Sequence, residues 1–291
     1  MLIEWAGFFI AIAVLLVGAR YHLGLAMITA AIVLGLFTLD IGTIGFQILE
    51  TVMTPNNIVV TAALSLIPII GGTLQLSGQL DDLVKNLRVG KRPFLGIAPA
   101  MLGLLPLPGG ALFSAPLIDK AGEDLEPQTK AGINVWFRHI LFFVYPYAPA
   151  LFIPISISNL SFINMDNIFQ SVVLYQVPFL LLSVLVGYFF LLRKVKGELE
   201  YVDKFSMKKL LPSLIVLLNA PFLDIILGSA FPFLKNNSVS TFIAIGTSLI
   251  LAIYFSFSLY DFDLPTMKES VTEMKPWNFA ILIMGIYIFI D

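Results

Sequence analysis

Residues Phe94–Ile118 read FLGIAPAMLGLLPLPGGALFSAPLI, and the reading of this stretch decides the fold. It is long and apolar enough to cross a bilayer, which takes roughly 20 residues. Its centre, however, holds Pro106, Pro108, Gly109 and Gly110. Two prolines remove amide donors and two glycines favour non-helical dihedrals, so a straight helix is disfavoured there. Each arm of about 11 residues reaches roughly 16 Å at 1.5 Å per residue, half of the hydrocarbon. The expectation is a re-entrant hairpin over 94–118, entering as one half-helix and leaving as another. A proline-kinked full span is the competing reading.

Charge placement separates the two. Cytoplasmic loops carry the excess of Lys and Arg. Two basic loops flank the region: Lys85, Arg88, Lys91 and Arg92 in the first, and Arg193, Lys194, Lys196, Lys204, Lys208 and Lys209 in the second. A full crossing at 94–118 puts these loops on opposite sides, whereas a hairpin puts both in the cytoplasm. With the hairpin, 15 of the 17 basic residues fall on the cytoplasmic side, Lys235 falls outside and Arg138 lies within a span. The hairpin is preferred, and it places the N-terminus outside.

The rest of the chain reads as an all-α polytopic membrane protein. Of 291 residues, 58% are hydrophobic and 12% charged, too few for the surface of a soluble domain. Candidate spans are Leu2–Gly18, Leu23–Leu39, Ile58–Leu80, Ile133–Ile155, Ile168–Leu192, Leu210–Phe233, Val239–Tyr260 and Pro276–Ile290, with an interfacial loop at Asp40–Asn57. That makes seven full spans and an eighth that stops short at Asp291. The N-terminus lacks the basic region and cleavage site of a signal peptide, so its first stretch reads as a mature span. The division expected is 1–192 as a first repeat with the hairpin, 193–209 as a basic cytoplasmic linker, and 210–291 as the start of a second repeat. The first span runs inward and the span from Leu210 outward, as an inverted repeat requires. On this reading the second repeat is incomplete.

Residues for chemistry cluster at the hairpin. A half-helix beginning after Pro108 presents the amides of Gly109, Gly110 and Ala111 and a positive dipole end, which suit an anion, and Ser114 adds a hydroxyl one turn on. Arg138 and His139 follow in the next span, Arg138 about 8 Å below its cytoplasmic end by helix rise. An intramembrane arginine is a functional hypothesis by default, although it can also snorkel to the headgroups. His139 titrates near neutrality and is a candidate for a coupling proton, or else a neutral packing residue. Weaker candidates are Gln75, Asn134, and Asn219 with Asp224, which flank Pro221 where a broken helix would expose carbonyls to a cation. Gly71 and Gly72 read as close helix packing.

Other classes find no support. The chain has no cysteine and two histidines, His22 and His139, so thiolate and His-rich metal sites are excluded. No HExxH, GxSxG, Walker or Gly-x-Gly-x-x-Gly pattern occurs, and no paired carboxylates suggest an intramembrane aspartyl protease, so no enzyme and no cofactor are expected. A net charge of −2 without a basic block gives no sign of nucleic acid.

The run Leu105-Pro106-Leu107-Pro108-Gly109-Gly110-Ala111-Leu112-Phe113-Ser114-Ala115-Pro116, with Phe137-Arg138-His139 downstream, resembles domain-of-unknown-function family 401. That group is placed in the ion-transporter superfamily beside gluconate-, dicarboxylate- and arsenite-type permeases. The resemblance covers the whole chain and implies inverted repeats, two re-entrant hairpins and an ion-coupled midplane site. One departure is that Ile140-Leu141-Phe142-Phe143 follow where polar residues are expected, which weakens a proton relay there. The combined expectation is a secondary transporter of the inner membrane moving a small anion with H⁺ or Na⁺. Its partners are the lipid bilayer, the solute and the ion, and a homo-oligomer is compatible with it. The alternative from another class is a non-transporting membrane scaffold or assembly subunit.

Overall fold

A computed structural model describes residues 2–104, 110–145, 168–199, 201, 204–234 and 238–291. All regular elements among them are helical. In order these are α1 (Leu2–Gly18), α2 (Leu23–Thr38), α3 (Ile41–Met53), α4 (Pro55–Leu76), α5 (Gln79–Lys85), α6 (Lys91–Gly103), α7 (Gly110–Ala121), α8 (Pro127–Ile140), α9 (Ile168–Gly187), α10 (Met207–Ala230), α11 (Ser238–Leu259), α12 (Leu264–Met274) and α13 (Pro276–Ile290). Four helical stretches are long and apolar enough to cross a membrane: α4, α10, α11, and α12 with α13 taken together. Shorter apolar helices of 10–17 residues include α1, α2 and α3. These helices are compatible with a membrane protein.

By packing, the chain divides into two compact units, one of 1–66 with 275–291 and one of 67–274. In the first, α1 and α2 form a pair and α13 lies along α2. The backbones of α2 and α13 nearly touch, because a Cβ on Gly24 would lie 2.6 Å from the Leu282 nitrogen. His22 Nε2 is 3.1 Å from Asn278 Oδ1 near the start of both helices, so the two run parallel. At the other end of α13, Thr51 Oγ1 donates to Asp291 Oδ2 at 2.7 Å. Asp40–Asn57, expected as an interfacial loop, instead contains α3. Asp40 caps this helix by accepting from Thr43 N at 2.9 Å and Thr43 Oγ1 at 2.6 Å.

The second unit repeats that detail. Asp263 caps α12 by accepting from Thr266 N at 2.9 Å and Thr266 Oγ1 at 2.5 Å. Each capped helix ends in the same pattern. Thr51-Val52-Met53-Thr54-Pro55-Asn56-Asn57 leads from α3 into α4, and Thr272-Glu273-Met274-Lys275-Pro276-Trp277-Asn278 leads from α12 into α13. Both copies read Thr-x-Met-x-Pro-x-Asn, and the proline is the first helical residue in each, where its missing N–H costs nothing. In both, two apolar helices precede the capped one.

Helices α6, α7 and α8 pack on one another. Lys91 Nζ at the start of α6 lies 2.5 Å from Asp124 Oδ1 just past α7, and Lys130 Nζ on α8 lies 2.6 Å from Asp119 Oδ1 on α7. The arms α6 and α7 therefore return to one end, antiparallel, with α8 starting at that same end. At this end the two basic loops also meet. Arg92 Nε donates to Val195 O at 2.6 Å, Ser206 N donates to Asn86 Oδ1 at 2.8 Å, and the Tyr201 hydroxyl donates to Val89 O. The Arg88 guanidinium stacks 4.3 Å over the Tyr201 ring.

Prolines do not break α10. It runs unbroken from Met207 to Ala230 through Pro212 and Pro221. Pro221 cannot donate to the carbonyl of Leu217 four residues back. Tyr145 supplies the donor instead, its hydroxyl reaching Leu217 O at 3.1 Å. The carbonyl that the sequence offered to a cation is therefore already taken. Gly72 is a close-packing position as expected, since a Cβ there would lie 2.5 Å from Met274 Cγ and 2.6 Å from Ser270 Oγ.

Candidate functional site

The hairpin arms and α8 bring three polar side chains together out of solvent. Ser114 lies one turn into α7, and Asn134 and Arg138 share a face of α8 at i and i+4. Ser114 is fully buried, and Asn134 and Arg138 are 7% exposed. Ser114 Oγ donates to Asn134 Oδ1 at 2.5 Å, and Arg138 Nη1 donates to Ser114 Oγ at 3.4 Å. The serine is thus polarised from both sides, its proton towards the amide oxygen and its lone pair towards the guanidinium. Arg carries five N–H donors and no acceptor, so the guanidinium brings donors and positive charge to the cluster.

Glycine sets how closely the hairpin meets Arg138. Gly103 ends α6, and a Cβ there would lie 1.8 Å from the Arg138 carbonyl oxygen. No side chain of any kind fits at that crossing. Nearer the base, Gly96 packs on the Phe137 ring, and Gly187 of α9 faces Trp136 and Phe137.

Arg138 lies further along its helix than the expected start at Ile133 implied. Helix α8 starts at Pro127 rather than Ile133, with proline in its first turn, so Arg138 stands about 16 Å along the axis from the helix start. That is the level at which α6 ends, with Gly103 against the Arg138 carbonyl.

The other expected residues are placed as follows. Pro108 and Gly109 lie outside the described residues, as do 105–107. Gly110 and Ala111 form the first turn of α7. His139 is on the opposite, exposed side of α8, its Nδ1 2.7 Å from Val135 O and its ring edge-on to Phe142, so it does not join the cluster. Asn219 bonds α11 through Nδ2, to Thr247 Oγ1 at 2.9 Å and Ser248 Oγ at 3.0 Å. Asp224 Oδ1 is sealed from solvent without a hydrogen-bond partner. Sequence reasoning ranked Asn134 low and missed Gly103. The i, i+4 spacing of Asn134 and Arg138 was the signal that could have found the first.

A second polar place lies where the basic loops meet. A cavity of about 660 Å³ is lined by Ser77, Asp82, Lys208, Lys209, Ser258, Leu259, Tyr260 and Asp261. Lys209 Nζ is 3.4 Å from Asp82 Oδ1. Burial, and then the nearby Asp82 carboxylate, push the Tyr260 hydroxyl above its ordinary range. In the hairpin base, the hydrogen bond from Lys91 holds Asp124 below the usual carboxylate range.

Among the described residues the chain is all-helical and rich in apolar helices, and its second unit holds a packed pair of short arms with a buried Ser–Asn–Arg cluster. The chain belongs to the family described as protein of unknown function (DUF401), whose model matches residues 3–289. No curated protein matches it.

Proposed function

We propose that this chain is a secondary transporter of the ion-transporter superfamily type, binding a small anionic solute at the apex of a re-entrant hairpin in the inner membrane. The observation that carries the reading is the buried Arg138 guanidinium, 3.4 Å from Ser114 Oγ, where α6, α7 and α8 converge. Buried positive charge, amide donors and the N-terminal turn of α7 form an electrostatic environment that favours an anion. A scaffold would gain little from burying such a group in hydrocarbon.

Two further features support the reading. Arms that return to one end, closed by Lys91–Asp124, suit a hairpin that enters and leaves by one face. Contact between the two basic loops suits the topology in which both are cytoplasmic. The shared Thr-x-Met-x-Pro-x-Asn pattern supports a repeat. Its first copy stands by the C-terminal end of α13 through Thr51 and Asp291, while Pro276 and Asn278 of the second open that helix at its N-terminal end. Copies at opposite ends of one helix suit an inverted arrangement, the architecture of many secondary transporters.

The test is counterflow in proteoliposomes loaded with gluconate or succinate. Uptake of labelled solute is expected with the wild-type chain. Arg138→Ala should reduce it by about 100-fold or more, and Arg138→Lys, which keeps the charge but not the bidentate fork, should fall between. Binding and counterflow that are indifferent to Arg138 would remove the proposed site.

A further inference from the structure

Asp224 stands apart from the anion cluster. It lies in α10, six residues before the C-terminal end at Ala230, about 9 Å along the axis. Among the described residues it is the one carboxylate inside α4, α10 or α11. Its Oδ1 is sealed from solvent with no hydrogen-bond partner, and no ion pair reaches it among the described residues.

Among the described residues, no charged residue of the elements packed against α10 lies at its level. Helix α11 carries no Asp, Glu, Lys, Arg or His, and its one titratable side chain, Tyr254, lies towards the far end. The turn Pro232–Leu234 carries none. Helix α5 holds Asp81, Asp82 and Lys85 but meets the opposite end of α10, where Ser213 Oγ donates to Gln79 O at 2.8 Å. On α10 itself Lys208 and Lys209 lie more than four turns away. The Tyr145 hydroxyl is spent on Leu217 O.

An unpaired carboxylate in hydrocarbon is among the costliest groups a span can hold, and is neutralised by a partner or a proton. A metal cation such as Na⁺ needs several oxygen ligands at once. Several oxygens on α10 and α11 are already engaged: Leu217 O accepts from Tyr145, and the hydroxyls of Thr247 and Ser248 donate to Ala244 O while accepting from Asn219. A proton needs only one lone pair.

We infer that Asp224 is the carboxyl that carries the coupling proton. An O–H bond forms on its carboxylate when α10 is open to one side and breaks when the proton leaves to the other, with no other covalent change. The inference rests on the transporter reading for its role but not for its test. Dicyclohexylcarbodiimide modifies protonated carboxyls in apolar surroundings, and peptide mass mapping locates the adduct. In the full chain in liposomes, Asp224 should be modified while the ion-paired carboxylates Asp119 and Asp124 are not. Modification should be the same in sodium and choline salts. Asp224→Asn, which copies the shape of the neutral acid, should fold and lose the adduct from that peptide. Absence of the adduct from folded wild-type chain or protection by sodium would each overturn the proton site. Labelling without anion counterflow would instead sink the transporter reading and leave the proton site standing.

Discussion

The stretch 94–118 and helix α10 each carry more than one proline, and they end differently. In 94–118 the helix stops at Gly103 and a second one starts at Gly110, packed antiparallel to the first. In α10 the helix continues through Pro212 and Pro221. Proline alone does not decide the outcome. Where a side chain such as Tyr145 supplies the missing donor, the helix survives. The sequence between the two arms holds Pro106, Pro108, Gly109 and Gly110, which set backbone restriction beside backbone freedom.

The strongest way to break the comparison is at the crossing that seats the hairpin. Gly103→Ala places a Cβ 1.8 Å from the Arg138 carbonyl. It should destabilise the chain by about 3 kcal/mol or more, at or above the upper range for overpacking. The same change at Gly246 in α11, where a Cβ meets nothing within 4 Å, should be neutral or stabilising by about 0.5–1 kcal/mol. Thermal unfolding in detergent reads both, and equal effects would refute the close crossing.

A smaller effect tests the other side. Tyr145→Phe removes the donor to Leu217 O and should cost about 1 kcal/mol. In a Pro221→Ala background the helix regains its own donor, and the same change should cost much less. A double-mutant cycle that comes out additive would show that the tyrosine does not serve the proline.

The smallest expected effect lies at the two helix caps. Thr43 and Thr266 hold Asp40 and Asp263 below the ordinary carboxylate range. A lowered carboxyl stabilises the folded state above its unfolded value of about 3.9, and that contribution is lost as pH falls through the folded value. Amide protection of Thr43 and Thr266 should therefore hold near neutrality and decline only in acid. Parallel loss at both caps would sharpen the repeat, and loss at only one would weaken it.

Much of this fold could be read from the sequence because apolar runs of helix length leave little choice. The limits of α1 and α13 coincide with the stretches read from hydropathy. Helix starts built from polar residues were harder. Pro127–Gly132 reads as loop by composition, yet proline at the first turn opens α8 six residues before Ile133 and carries Arg138 to the level of Gly103. Helix α3 was hidden for the same reason, its start being a capping Asp40 in a polar stretch. The site was half legible: Ser114 and Arg138 stood out as polar groups among apolar ones. Gly103 did not, because a glycine in an apolar run signals nothing until its neighbour is known. The Thr-x-Met-x-Pro-x-Asn copies were in plain view, but they are short and far apart, and only the matching order of helices around them gives them weight.

The most direct measurement is sidedness at the two ends of the hairpin, which the absence of native cysteine makes clean. Single cysteines at Lys91 and Lys120 would be treated with an impermeant maleimide from each face of oriented vesicles. The account predicts that both react from the cytoplasmic face. Reaction of Lys91→Cys and Lys120→Cys from opposite faces would mean that 94–118 crosses the membrane, and both the hairpin and the anion site at its apex would fall.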